Sequence, residues 1–164
     1  MSHALKLTDA KASPAERYAA ILAALDGLLA GERNLIANLA NASALLYASL
    51  DNLNWAGFYL YDGSGLIVGP FQGKPACVRI ALGQGVCGTA AAKGETILVE
   101  DVHAFPGHIA CDAASNSEIV VPLVGPNGLL GVLDLDSPST HRFDRHDAKG
   151  LEAVAARLIA GSDW

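Results

Sequence analysis

An α+β architecture is expected of this chain: an antiparallel sheet of about six strands, with helices packed on one side. Three observations lead there. Two stretches of apolar residues at helical spacing open the chain, and a third closes it. Between them lie short runs rich in β-branched and aromatic residues. Turn dipeptides, Asp62-Gly63 and Asn127-Gly128, punctuate those runs, and Asn-Gly is the strongest short hairpin signal of all.

Residues 1–12 read as a tail, and residues 13–164 as one domain. Ser13 and Pro14 supply a helix cap and a first-turn proline. Tyr18, Ile21, Leu22, Leu25, Leu28 and Leu29 then share one helical face, and Gly31 ends it. A second helix is expected from about Arg33, with Leu35, Ile36, Leu39, Ala42, Leu46 and Tyr47 as its apolar face. Asp51 and Asn52 stop that helix. The run 54–62 alternates, with Trp55, Gly57, Tyr59 and Tyr61 on one face and Ala56, Phe58 and Leu60 on the other. Short strands are expected at 65–69 and 76–80, separated by a Gly/Pro loop at 70–75. The glycines Gly83, Gly85 and Gly88 point to backbone that turns sharply or lies close to a neighbour, leading into a small helix at 89–93. After a short strand at 96–99 comes a long aperiodic segment, 101–117, of the kind that tends to be functional in compact domains. Strands at 118–123 and 129–135 flank Asn127-Gly128. Phe143-Asp144 opens a last helix that presents Ala148, Leu151, Val154, Ala155 and Leu158 on one side.

Composition narrows the function classes. The 164 residues are 51% hydrophobic and 17% charged, a globular balance. No apolar run is long enough to cross a membrane, and the first residues lack the apolar core of a secretion signal. The net charge of −6, without any basic block, argues against nucleic acid or an anionic membrane as partner and leaves room for a small cationic or zwitterionic ligand. Three cysteines, an odd number, do not suggest a structural disulfide framework.

Cys77, Cys87 and Cys111 therefore stand as small core residues, metal ligands or redox groups. No Cys-x-x-Cys pair exists, which disfavours both a zinc ribbon and a thioredoxin-type motif; a zinc site from the cysteines with His103 or His108 is a minor alternative. Cys111, on the long loop, is the preferred nucleophile, with Cys87 as an alternative attacker or a mere packing residue in a tight turn. Asp134 and Asp136 are two apart on a strand and share a face, while Leu133 and Leu135 take the other. In an in-register hairpin Glu118 lies near the end of the Asp136 strand, so the three acids converge. Acids held together repel, which raises a pKa and keeps a proton at hand near neutrality. The competing reading is a wet sheet face with solvated carboxylates.

The motifs at 54–60 (NWAGFYL), 68–80, 83–91 (GQGVCGTAA), 99–112, 117–123 (SEIVVPL) and 131–138 (GVLDLDSP), with 143–152 at the end, make the chain resemble a GAF domain. More narrowly it resembles the free methionine-(R)-sulfoxide reductases, single-domain GAF enzymes, over roughly residues 14–160, with all three cysteines inside matching motifs. The resemblance implies a loop-covered pocket on the sheet face opposite the terminal helices. It implies reduction of free L-methionine-(R)-S-oxide by attack of Cys111 on the sulfoxide sulfur, and a sulfenic acid resolved to a disulfide by Cys77 or Cys87. A thioredoxin-type dithiol would restore the thiols. Glu118, Asp134 and Asp136 would line the substrate pocket, with Trp55 and Tyr59 in its wall; ordinary core burial is the other account of Trp55. The resemblance calls for no cofactor and no metal, a cytoplasmic protein and a possible homodimer through the flanking helices. The rivals are a GAF module that binds a small ligand such as a cyclic nucleotide, and a thiol redox sensor without turnover.

Overall fold

The computed structural model describes residues 11–164; most of the expected tail, 1–10, lies outside the described residues. Helix α1, Pro14–Leu29, starts where a cap was expected. Ser13 Oγ accepts from Glu16 N at 3.2 Å, and Glu16 Oε2 accepts from Ser13 N at 2.8 Å, a reciprocal capping box. Helix α2 spans Leu35–Ser49, and Asn34 caps it through Ala37 N at 3.0 Å. The strands are β1 (Trp55–Tyr61), β2 (Gly65–Gly73), β3 (Arg79–Ala81), β4 (Ile97–Val99), β5 (Ser117–Gly125) and β6 (Gly128–Ser137). Helix α3, Gly85–Lys93, lies between β3 and β4, and α4, Arg145–Gly161, closes the chain. Among the described residues the strands form one six-stranded sheet in the order β3-β2-β1-β6-β5-β4, every neighbouring pair antiparallel.

Period-two alternation sorts the strand side chains onto two faces. On one, Ala56, Phe58, Ile119, Val121, Leu133 and Leu135 are buried beneath α1, α2 and α4. On the other, Trp55, Tyr59, Val120 and Val132 pack with Val86, Cys87 and Ala90 of α3. The terminal helices thus cover one face, as expected. One buried polar link ties α1 to α4: Tyr18 donates to Asp147 Oδ1 at 2.7 Å, while Asp147 Oδ2 accepts from Asp144 N at 3.0 Å as part of the α4 cap. Such a carboxylate is tolerated inside because its lone pairs are filled.

Several expected boundaries move. Strand β2 runs through Pro70 to Gly73, where a Gly/Pro loop was expected. A register shift between Gly57 and Tyr59 of β1 explains it, because Pro70 falls in the irregularity and its missing N–H leaves no ladder bond broken. The third strand is Arg79–Ala81, not 76–80, since Cys77 is tied elsewhere. Helix α3 begins at Gly85, four residues before the expected start, so Gly85 and Gly88 fall in its first turn while Gly83 precedes it. Helix α2 is rotated from the expected face. Asn38, Ser43 and Leu45 are buried beside Leu39, Ala42 and Leu46, whereas Ile36 and Tyr47 are exposed. The buried polar residues are satisfied: Asn38 donates to Ser162 Oγ at 3.0 Å, and Ser43 to Leu39 O at 2.8 Å.

Candidate active site

The face opposite the terminal helices holds a cleft in which Cys87, Cys111, Glu118, Asp134 and Asp136 meet the rings of Trp55 and Tyr59. Each arrives by a local cause. The β5–β6 ladder pairs Glu118 with Asp136 and Val120 with Asp134; the hairpin expected around Asn127-Gly128 forms, but not in simple register, and a one-residue shift between Leu123 and Val124 is what sets the acids side by side. The β1–β6 ladder places Trp55 opposite Asp136. Trp55 stacks on Tyr59 with ring centroids 5.7 Å apart and on Phe71 at 5.1 Å, and its Nε1 donates to Lys74 O at 3.2 Å. This fixed indole is buried, yet one part of it lines the cleft, so core burial and a wall position are both true of it.

Gly85 and Gly88 let α3 approach. Gly85 has φ +61°, a left-handed conformation, and faces the Ile109 side chain across the cleft mouth. A side chain on Gly88 would strike the backbone oxygen of Ala81. Cys87, in the first turn of the helix, is carried to the acids, and its Sγ lies 3.8 Å from Glu118 Oε1. A helix N-terminus ordinarily lowers a thiol pKa. Here burial, then the neighbouring Asp134, Glu118 and Asp136, push the Cys87 thiol well up instead.

Burial also dominates at the acids, raising Glu118, Asp134 and Asp136 well above the carboxylate range, with mutual repulsion adding to it. The reading of a wet face with solvated acids is therefore set aside: Glu118 and Asp134 are 6% and 5% exposed. Asp134 Oδ1 is buried without a hydrogen-bond partner. Burial and the same acids raise Tyr59 above its ordinary range.

The loop 101–117 forms the other wall. A disulfide joins Cys111 to Cys77, leaving Cys87 as the free thiol. Three neighbours in or beside this wall were not among the expected pocket residues: His108, expected only as a minor zinc-ligand alternative, and Asp112 and Ser115, which carried no readable signal in sequence. His108 Nε2 stands 3.7 Å from Glu118 Oε2, and burial holds its imidazole below the usual range. Asp112 Oδ2 and Ser115 Oγ both accept from Asn54 Nδ2, at 3.1 and 3.0 Å, which anchors the loop to the start of β1. His103, by contrast, is spent on local contacts with Asp101 and Asn116, as a loop histidine usually is.

The cleft thus combines the Cys87 thiol and the Cys111 sulfur of the disulfide with an acidic cluster and an aromatic wall. That set can hold a small cation against the acids, seat an apolar group on the indole and offer sulfur chemistry beside both.

A model of the GAF domain family matches residues 14–160. The free methionine-R-sulfoxide reductase of Escherichia coli (strain K12) is 56% identical over 152 residues, covering 91% of this chain and 92% of that protein. The enzyme of the same description from Saccharomyces cerevisiae (strain ATCC 204508 / S288c) is 48% identical over 143 residues, 82% of this chain and 79% of that one. The solved structure of free methionine-R-sulfoxide reductase from Neisseria meningitidis, in complex with its substrate, superposes with a TM-score of 0.88 at 44% identity, over 93% of this chain and 92% of that one.

Proposed function

Since the chain belongs to the GAF domain family and, within it, to the free methionine-R-sulfoxide reductases, it is an oxidoreductase, and we propose that it works through a Cys111 sulfenic acid and a Cys77–Cys111 disulfide. One juxtaposition carries this reading: the Cys111 sulfur and three buried acids line the same cleft. The ammonium of free methionine sulfoxide pairs with the acidic cluster, and its S-methyl group rests on Trp55. A methionine inside a peptide has no such ammonium. Its entry would leave buried carboxylates unpaired, which is how a polar site rejects an analogue.

Chemistry follows from what lies beside the bound sulfur. The Cys111 thiolate attacks the sulfoxide sulfur while one raised-pKa carboxylic acid protonates the sulfoxide oxygen. The oxygen passes to Cys111, methionine leaves, and Cys111 is oxidised to a sulfenic acid. The Cys77 thiol then attacks that sulfur, water departs, and the disulfide forms. An outside dithiol of the thioredoxin type reduces it by exchange. Cys87 suits neither role, because a buried thiol held protonated by adjacent acids is a poor nucleophile.

The test is a single turnover. Fully reduced protein without added dithiol is mixed with excess racemic free methionine sulfoxide. About one methionine per chain should form, only the R epimer should be consumed, and mass spectrometry should find Cys77 linked to Cys111. Cys87→Ser should behave alike, Cys111→Ser should form nothing, and peptide-bound sulfoxide should be untouched. Turnover retained in Cys111→Ser would overturn the assignment of the nucleophile.

A further inference from the structure

The reductase reading gives the Cys87 thiol no part, and beside it Asp134 Oδ1 is buried without a hydrogen-bond partner. They lie together. Cys87, Glu118 and Asp134 each present a ligand atom within 4.8 Å of the others. Buried polar atoms are almost always partnered, so the bare Oδ1 of Asp134 marks a place built for a positive group. An ammonium would satisfy the carboxylates, but it has no use for sulfur. A thiolate beside two carboxylates is a donor set for a borderline or soft divalent ion.

The geometry points to a second occupant of this cleft: a Zn2+- or Cd2+-class ion held by Cys87 Sγ, Glu118 and Asp134, with the remaining position open to the cleft. The separations fit. With Zn–S of about 2.3 Å and Zn–O of about 2.0 Å, tetrahedral ligands stand roughly 3.5 Å apart. Cys87 Sγ and Glu118 Oε1 are 3.8 Å apart, a few tenths of an ångström from that separation. His108 Nε2, 3.7 Å from the other oxygen of Glu118, stands outside this donor set. Entry is through the cleft, which all three ligands line. Binding releases to solvent the Cys87 proton and whatever protons Glu118 and Asp134 carry, and nothing is oxidised or reduced. The site rests on these donors alone and stands whether or not the chain reduces methionine sulfoxide. An ion in it closes the acidic cluster to any ammonium.

The disulfide form provides a direct test, because Cys87 is then the one thiol of a three-cysteine chain. Titration of that form with Cd2+ should raise an ultraviolet thiolate-to-metal absorption band that saturates at one equivalent, and Zn2+ should displace it. Asp134→Asn should weaken Cd2+ binding at least tenfold with the band still reachable. Zn2+ affinity, read with a competing chelating dye, should fall at least tenfold in Cys87→Ser. No band in the wild type, or a band whose midpoint is the same in Asp134→Asn, or Zn2+ affinity indifferent to Cys87→Ser, would each overturn the site. None of these readouts involves turnover, so they are independent of the reductase test.

Discussion

The two faces of the central sheet are made by alternating residues of the same strands, yet they solve opposite problems. Toward the terminal helices, Phe58, Ile119, Leu133 and Leu135 are fully buried among apolar neighbours. One residue along, on the other face, Tyr59, Glu118 and Asp134 are nearly as buried but sit among like charges and an unfilled oxygen. Burial on the first face drives folding. Burial on the second opposes it, since each carboxylate loses water without gaining a cation. The lesson is that one face supports the strain carried by the other. The acids are held where they are uncomfortable by a ladder whose reverse side is well packed.

Exchanging the characters of the faces should break the molecule most severely. Leu135→Asp places a carboxylate in the helix-side core with no partner, and it should cost at least about 4 kcal/mol, enough to abolish cooperative thermal unfolding. The reverse-side change Asp134→Asn should do nearly the opposite. Relief of repulsion should leave the ligand-free melting temperature equal or higher, while kcat/KM for free methionine sulfoxide falls about 100-fold or more. Calorimetry and steady-state kinetics on the two variants check both. A destabilised Asp134→Asn protein would mean that the acid is structural and that the contrast between the faces is false.

The legible part of this architecture was the part written locally. Ser13-Pro14 fixed the start of α1, Asn127-Gly128 marked the hairpin, and the two-residue spacing of Asp134 and Asp136 fixed their common face. The face that Glu118 takes was not written in the turn: Gly125 pairs with Gly128, and only the one-residue shift between Leu123 and Val124 sets Glu118 opposite Asp136. What was not legible depends on contacts distant in sequence. Pro70 looks like a loop residue until the bulge opposite Phe58 is known. Asn38 and Ser43 look solvent-facing until α4 and β2 supply their partners. The choice between Cys77 and Cys87 as neighbour of Cys111 turns on a fold in the backbone that brings Cα atoms 34 residues apart in sequence to 5.5 Å. His108 was legible only as a possible zinc ligand, because its nearness to Glu118 across the cleft depends on the fold.

The smallest effect is the one that sharpens the contrast most, and it is a pH dependence. Glu118, Asp134 and Asp136 have folded-state pKa values raised above those of the unfolded chain, chiefly by burial. The folded form therefore binds more protons, and stability falls as pH rises from the ordinary carboxylate range toward the raised values. His108 acts the other way: its lowered value costs stability as pH falls below about 6.5. Cys87, also raised, adds its own loss only above about 8.5. Between roughly pH 7 and 8 the acids dominate, because the unfolded imidazole is then mostly neutral and the unfolded thiol mostly protonated. In that window the ligand-free disulfide form should lose stability with a slope of at most about 1.4 kcal/mol per pH unit for each acid still protonated. Asp134→Asn should flatten the slope, and saturating free methionine, whose ammonium favours the ionised cluster, should reverse it. Denaturant melts at several pH values measure this. A wild-type slope that Asp134→Asn leaves unchanged would place the titrating groups elsewhere and remove the electrostatic difference between the two faces.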